Sequence, residues 1–212
     1  MDASNRDWFE NDVIGRVARL RSNPNGFRVF GASAHAFKLR PVIETEELTV
    51  IERDYSFQVP DPYRSWLLEV GNGGAGPGYG LFPLGSEGDT VENTHDWNPE
   101  LLGDPGRPFP HAAAWNLTVD ALSKPEHLTP DDETKWMAEY ELSYFDTSWV
   151  DGSIPIGHLG CAMWIRLVVN GEHAGQVWLD SRTSDQGIHP MVPQNFVEWF
   201  LDWLWSAEQS AR

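Results

Sequence analysis

The chain is most constrained where VPDPYRSWLLEVGNGGAGPGYGLFPL, residues 59–84, runs from a patterned segment into a cluster of glycines. Tyr63, Trp66, Leu67 and Val70 recur at i, i+3, i+4 and i+7, the spacing of one helical face, with Asp61 placed as an N-cap and Pro62 at the first position. Gly71, Gly73 and Gly76 then spell G-x-G-x-x-G, the pattern of a dinucleotide-binding loop. In such a loop a strand leads in and a helix leads out, so that free backbone N–H groups face a pyrophosphate. Here a helix leads in, and Pro77 and Pro83 bar a helix from following. The context predicts a structural turn, with Gly71 ending the helix in the left-handed conformation and a short strand over about residues 79–83. No nucleotide cofactor is expected.

Other elements follow from periodicity. DWFENDVIGRVARLR, residues 7–21, places Trp8, Val13, Val17 and Leu20 near one helical face, and SNPNG ends it. FRVFGASAHAFKLRP is ambiguous and leaves room for a short strand. A helix is expected over residues 44–55, with Thr45 as a candidate N-cap, and another over residues 130–142. CAMWIRLVVNG reads as a strand ending in the turn pair Asn170-Gly171, and QVWLDSR as the strand returning from it. Val177 and Leu179 alternate with Trp178 and Asp180, as in a sheet covered on one face or both. NFVEWFLDWLW sets Phe196, Trp199, Phe200 and Trp203 against Glu198 and Asp202, a closing amphipathic helix. Helices, then strands, then a helix define an α+β domain.

Composition narrows the function. The 212 residues suit one domain, 41% are hydrophobic, and eleven are tryptophan. No run of about 18 apolar residues is present. The polar opening MDASNRDWFENDV is unlike a secretory signal, and a single cysteine, Cys161, fits a reducing compartment, so a cytoplasmic protein is expected. The net charge is −17. Residues 85–151 alone hold fifteen carboxylates against Arg107, Lys124 and Lys135, which is −12 of that total. Such a chain is repelled by nucleic acid and by an acidic membrane, and it attracts a basic protein. The seven histidines show no metal-binding spacing, Cys161 is expected to open an apolar strand as a buried thiol, and no nucleophile or phosphate-loop motif appears. No metal, cofactor or catalytic residue is expected.

Taken together, three blocks resemble the SUKH superfamily, which includes yeast cell-wall-assembly regulators and bacterial toxin-immunity proteins. They are the helix-and-glycine block above, DGSIPIGHLGCAMWIRLVVNGEHAGQVWLDSR, and the aromatic final helix. The positions that carry the resemblance include Tyr63, Gly71, Asn72, Gly73, Gly74, Gly76, Pro77, Gly80, Trp178, Asp180 and Arg182. The resemblance implies a mixed, mainly antiparallel sheet with helices packed against it, and structural roles for these residues. It covers about residues 41–205, so residues 1–40 are expected to form a helical extension before a domain of residues 41–207. The acidic insertion, about residues 85–151, matches least.

What the resemblance implies is an immunity protein that binds a cognate polymorphic toxin, one directed at nucleic acid, and occludes its basic active site. Arginine outnumbers lysine twelve to three, consistent with a GC-rich bacterial source. The expected contact surface is Glu87, Asp89, Glu92, Asp96 and Trp97, with Asp131, Asp132 and Glu133 as a second cluster. A solvated loop and an ordinary helix first turn account for the same carboxylates. The alternatives are a non-catalytic regulator or scaffold related to the cell-wall regulators, and an enzyme without a recognisable motif. A monomer is favoured.

Overall fold

The computed structural model describes residues 11–84, 99–117 and 129–212. Helix α1 (Val13–Ser22) buries Val13, Val17 and Leu20; the part of the expected helix before residue 11, with Trp8, lies outside the described residues. The segment after it is mostly helical turn rather than strand: a 3-10 turn at Gly26–Arg28, the single turn α2 (Ala32–His35), and one bridge from Leu39 to Gly74.

Helix α3 (Thr45–Asp54) buries Leu48 and Ile51. Glu44 occupies its N-cap position, so Thr45 is the first helical residue and not the cap; its carbonyl accepts from the Thr49 hydroxyl at 2.8 Å. Helix α4 (Asp61–Glu69) starts one residue earlier than Asp61 as N-cap would allow, because Pro60 takes the cap position. Tyr63, Trp66, Leu67 and Val70 are all buried, as their spacing requires.

The long second half begins with the single turn α5 (Pro99–Leu102) and the exposed helix α6 (Pro130–Tyr144). Strands β1 (Ser153–Gly160), β2 (Met163–Val168), β3 (Gln176–Asp180) and β4 (Ile188–Asn195) then form an antiparallel meander in the order β1-β2-β3-β4. Helix α7 (Phe196–Ser210) closes the chain, with the Asn195 side chain accepting from the backbone N–H of Val197 at 2.9 Å. The fold is α+β.

Strand alternation sends side chains to two faces, and both are covered. Ile154, Ile165, Leu167, Val177 and Leu179 face the main core, shared with Trp66, Phe196, Phe200, Leu204 and, from α1, Val13 and Val17. Trp66 lies 4.3 Å from the Phe200 ring centre, and Tyr63 lies 4.8 Å from that of Phe196. Helix α1 therefore packs into the same core; Arg16 also holds Glu208 of α7 with two hydrogen bonds of 2.8 Å. On the opposite face Val168, Trp178 and Ile188 meet Phe109 and Val150.

Residues 79–83 and Cys161 also depart from expectation. Residues 79–83 form no strand: Leu81 makes isolated bridges to Gly74 and Gly157 only. Cys161 is exposed, because it and Ala162 form the tight turn between β1 and β2 with φ of 51° and 54°. That positive-φ pair matches the twist of a two-residue hairpin and points the thiol away from the core.

His35 gives the core a pH dependence. Its Nδ1 accepts from the Phe37 N–H at 3.0 Å, and its ring packs edge-on against Phe37 and Trp203. Burial lowers its pKa to about 4. The unfolded chain, near 6.5, therefore binds a proton that the native state refuses, and stability falls as pH drops from 6.5 towards 4. The expected slope from this residue is at most about 1.4 kcal/mol per pH unit. Urea melts of wild type and His35→Gln between pH 7 and 5 should show the slope reduced in the variant; parallel curves refute the assignment.

Candidate functional site

The glycine block is built from its own backbone. Gly74 and Leu81 exchange N–H···O bonds of 2.8 and 2.7 Å, Ala75 N–H donates to Lys38 at 2.8 Å, and Asn72 N–H donates to Pro41 at 2.9 Å. The Asn72 side chain accepts from Leu84 N–H at 2.7 Å. These N–H groups are thus spent within the fold and do not face a phosphate. Gly71 does not adopt the left-handed conformation expected of it: it has no positive φ, and its role is proximity, since a Cβ would lie 2.8 Å from the Arg40 carbonyl oxygen. Positive φ falls instead at Gly73, Gly74, Gly78 and Gly80. Buried Pro77 accepts from Gly80 N–H at 3.1 Å, closing a tight turn, and Gly76 packs against the Leu81 side chain.

Across the sheet, Trp178, Asp180 and Arg182 do a different job: they fasten the acidic insertion to the second face. Arg182 forks onto Asp180 with Nε and Nη2 at 2.9 and 2.8 Å, while its Nη1 donates to the carbonyls of Tyr144 and Asp146 at 3.0 and 3.1 Å. Both residues are buried. Burial alone would raise the Asp180 carboxyl; the hydrogen bonds from Arg182 and the charges of Arg182 and Arg166 more than offset it and hold the pKa low. Arg166, wholly buried on β2, donates to the Ser153 hydroxyl at 2.9 Å and the Leu102 carbonyl at 3.2 Å. Its burial lowers the guanidinium to about 10, so it stays charged at neutral pH.

An aromatic layer completes the attachment. Phe109 meets Trp178 edge-on at 5.0 Å, and Trp115 stacks on Trp149 at 4.4 Å. His111 Nε2 donates to the Trp149 carbonyl at 2.7 Å, and burial lowers its pKa despite that bond. From Trp115 the stack passes to Tyr144, Tyr140 and Trp136, an i, i+4, i+8 ladder that forms the inner side of α6.

The rest of α6 projects into solvent. Asp131, Asp132 and Glu133 are exposed in its first turn, where carboxylates complement the helix dipole. Successive helical residues turn by about 100°, so the three point in three directions and form no single patch. Asp132 is also structural: Thr129 caps its N–H and donates to its carboxylate at 2.6 Å. Residues Glu87, Asp89, Glu92, Asp96 and Trp97 lie outside the described residues. The pattern of the sequence alone did not single out Glu139, Glu141, Met137 and Leu142, all exposed on α6, Leu142 by 75%. Their signal was present in retrospect, as apolar and acidic positions off the 136/140/144 stripe.

A cleft of about 600 Å³ opens between the starts of α4 and α7, lined by Pro60, Asp61, Gln176, Pro193 and Glu198 among others. It presents two carboxylates and side-chain amides. Among the described residues no group of three His, Cys, Asp or Glu could hold a metal ion, and no helix is long and apolar enough to cross a membrane.

An antiparallel sheet with a glycine-built helix exit on one side and a clamped segment on the other defines a small α+β domain. The profile of the SMI1 / KNR4 family (SUKH-1) matches residues 43–202, so the chain belongs to that family. No curated protein and no solved structure matches it significantly.

Proposed function

We propose that this chain is a bacterial immunity protein that acts as a monomer in the cytoplasm, binding a cognate toxin that targets nucleic acid and covering its basic active site. The family supports an immunity or regulatory role without catalysis as its basis. The observation that carries the reading is α6: an exposed helix with five carboxylates against Lys135, held by an aromatic ladder and offering Leu142 to solvent. Carboxylates steer a basic partner into encounter, and an exposed apolar side chain among them supplies the part that is desolvated on binding. Segment 85–98 contributes four further carboxylates to the chain's negative charge.

The test is a basic toxin encoded beside this chain's gene, expressed with and without the chain. Growth should be rescued, and the purified pair should associate at a rate that falls steeply with salt. Neutralising Glu87, Asp89, Glu92 and Asp96 together should slow capture by about tenfold or more at low salt and flatten that dependence. Unchanged association kinetics remove segment 85–98 from the contact surface; an absent toxin gene and absent rescue favour the regulatory role instead.

A further inference from the structure

The chain also carries a surface of opposite sign. Between residues 13 and 43 stand Arg16, Arg19, Arg21, Arg28, Lys38 and Arg40, with no Asp or Glu. Arg16 is paired with Glu208 and Arg19 with Asp12, whereas Arg21 and Arg28 are exposed and have no ion pair among the described residues. Exposed aromatic rings stand near these arginines in sequence or in space. Phe27 is 75% exposed, Phe30 62% and Tyr79 37%. Phe30 meets Tyr79 edge-on at 5.3 Å, Tyr79 stacks on His158 at 4.8 Å, and the Arg28 guanidinium lies 6.0 Å from the Phe27 ring centre. Beside Phe27 a cleft of about 200 Å³ is lined by Arg21, Asn23, Ser33 and Phe37.

Neither Phe27 nor Phe30 belongs to the core, so folding gives no reason for two phenylalanines here. Burying exposed rings of this size against a partner removes apolar surface from water and favours association. We propose that this face is a docking surface for an acidic peptide segment of a partner protein, its apolar side chains seated on Phe27, Phe30 and Tyr79 and its carboxylates on Arg21 and Arg28. A short segment senses mainly the charges within a Debye length of about 8 Å, and beside Phe27 stand Arg28, 6.0 Å from its ring centre, and Arg21, which lines the same cleft. A nucleic acid is a long polyanion that would extend into the field of a −17 body, and a second copy would bring another −17. Arg21, Phe27, Arg28 and Phe30 precede the family match and Tyr79 alone of this surface falls within it, so this docking surface stands apart from the toxin reading.

The test uses the full chain and a fluorescein-labelled peptide with a central Leu-Phe pair flanked by glutamates, followed by anisotropy at physiological salt. A Kd of about 10–100 µM is expected, weakened at least about tenfold by Phe27→Ser with Phe30→Ser, and likewise by Arg28→Glu. The thermal midpoint should not fall in these variants, since the altered side chains are exposed. A glutamine-flanked twin should bind far more weakly. Absence of binding, or binding indifferent to the phenylalanine substitutions, overturns the proposal. So does preference for oligothymidylate, which would assign nucleic acid, or a concentration-dependent dimer lost in the double variant, which would assign a second copy.

Discussion

Replacing Arg182 with methionine should lower the unfolding free energy at neutral pH by about 3–5 kcal/mol, the range seen when one member of a buried ion pair is removed. Two losses combine. The Asp180 carboxylate, 4% exposed, would keep its charge with only the more distant Arg166 to stabilise it, or take up a proton. The carbonyls of Tyr144 and Asp146 would also lose their shared donor just where α6 ends. The second loss is local, so limited proteolysis should cut residues 99–150 of the variant under conditions that spare the wild type. Arg182→Lys should recover little, because an ammonium cannot form the two-pronged contact with Asp180 and reach both carbonyls. The sign with pH follows from the low pKa of Asp180: its contribution is present above the unfolded carboxyl value near 3.9 and is lost as pH falls through the folded value. The stability difference between wild type and variant should therefore narrow in acid. Urea denaturation at pH 7 and pH 3 measures both; a variant within 1 kcal/mol of wild type at pH 7 would mean that the insertion is held by its aromatic contacts alone.

What could be read in the sequence was whatever depended on near neighbours. The face of α4 (Tyr63, Trp66, Leu67, Val70), the hairpin from β2 to β3 and the aromatic stripe of α7 all rest on spacings within one element, and all stand as expected. The edge strands were not legible. IHPMVPQN carries two prolines, tolerated because β4 is an edge, and SIPIGHLG mixes proline and glycine, so neither shows strand composition. Cys161 looked buried because the run after it is apolar; the two-residue turn that exposes it depends on β1, which was not visible. The covering of the sheet's second face was the largest omission. Arg166 to Leu102 and Arg182 to Tyr144 join residues 64 and 38 positions apart, and no local pattern announces a buried arginine that binds carbonyls. For the candidate contact surface, charge pointed to one third of the chain but not to a face. The helical ladder of Trp136, Tyr140 and Tyr144 decides which side of α6 is free.

Replacing Gly74 with alanine should be at least as disruptive, lowering stability by about 4 kcal/mol or more and leaving little soluble protein. The residue has φ of +100°, outside the range that an L side chain adopts without strain, and a Cβ there would overlap the Lys38 carbonyl oxygen. That oxygen cannot retreat, because it accepts from Ala75 N–H and lies beside the bridge from Leu39 to Gly74. The same glycine exchanges two hydrogen bonds with Leu81, which in turn bridges Gly157 on β1, so the strain would pass directly into the sheet. Gly76→Ala is the comparison within the motif. Gly76 has no positive φ, and its Cβ would meet the Leu81 side chain at 2.7 Å, an obstacle that can shift for about 1–3 kcal/mol. A phosphate-cradling loop would give the reverse ordering: stability nearly unchanged, with nucleotide affinity lost first where the backbone approaches the ligand most closely. Thermal melts of Gly74→Ala and Gly76→Ala decide between these physical roles, and a Gly74→Ala protein as stable as wild type would remove the packing explanation for the glycine block.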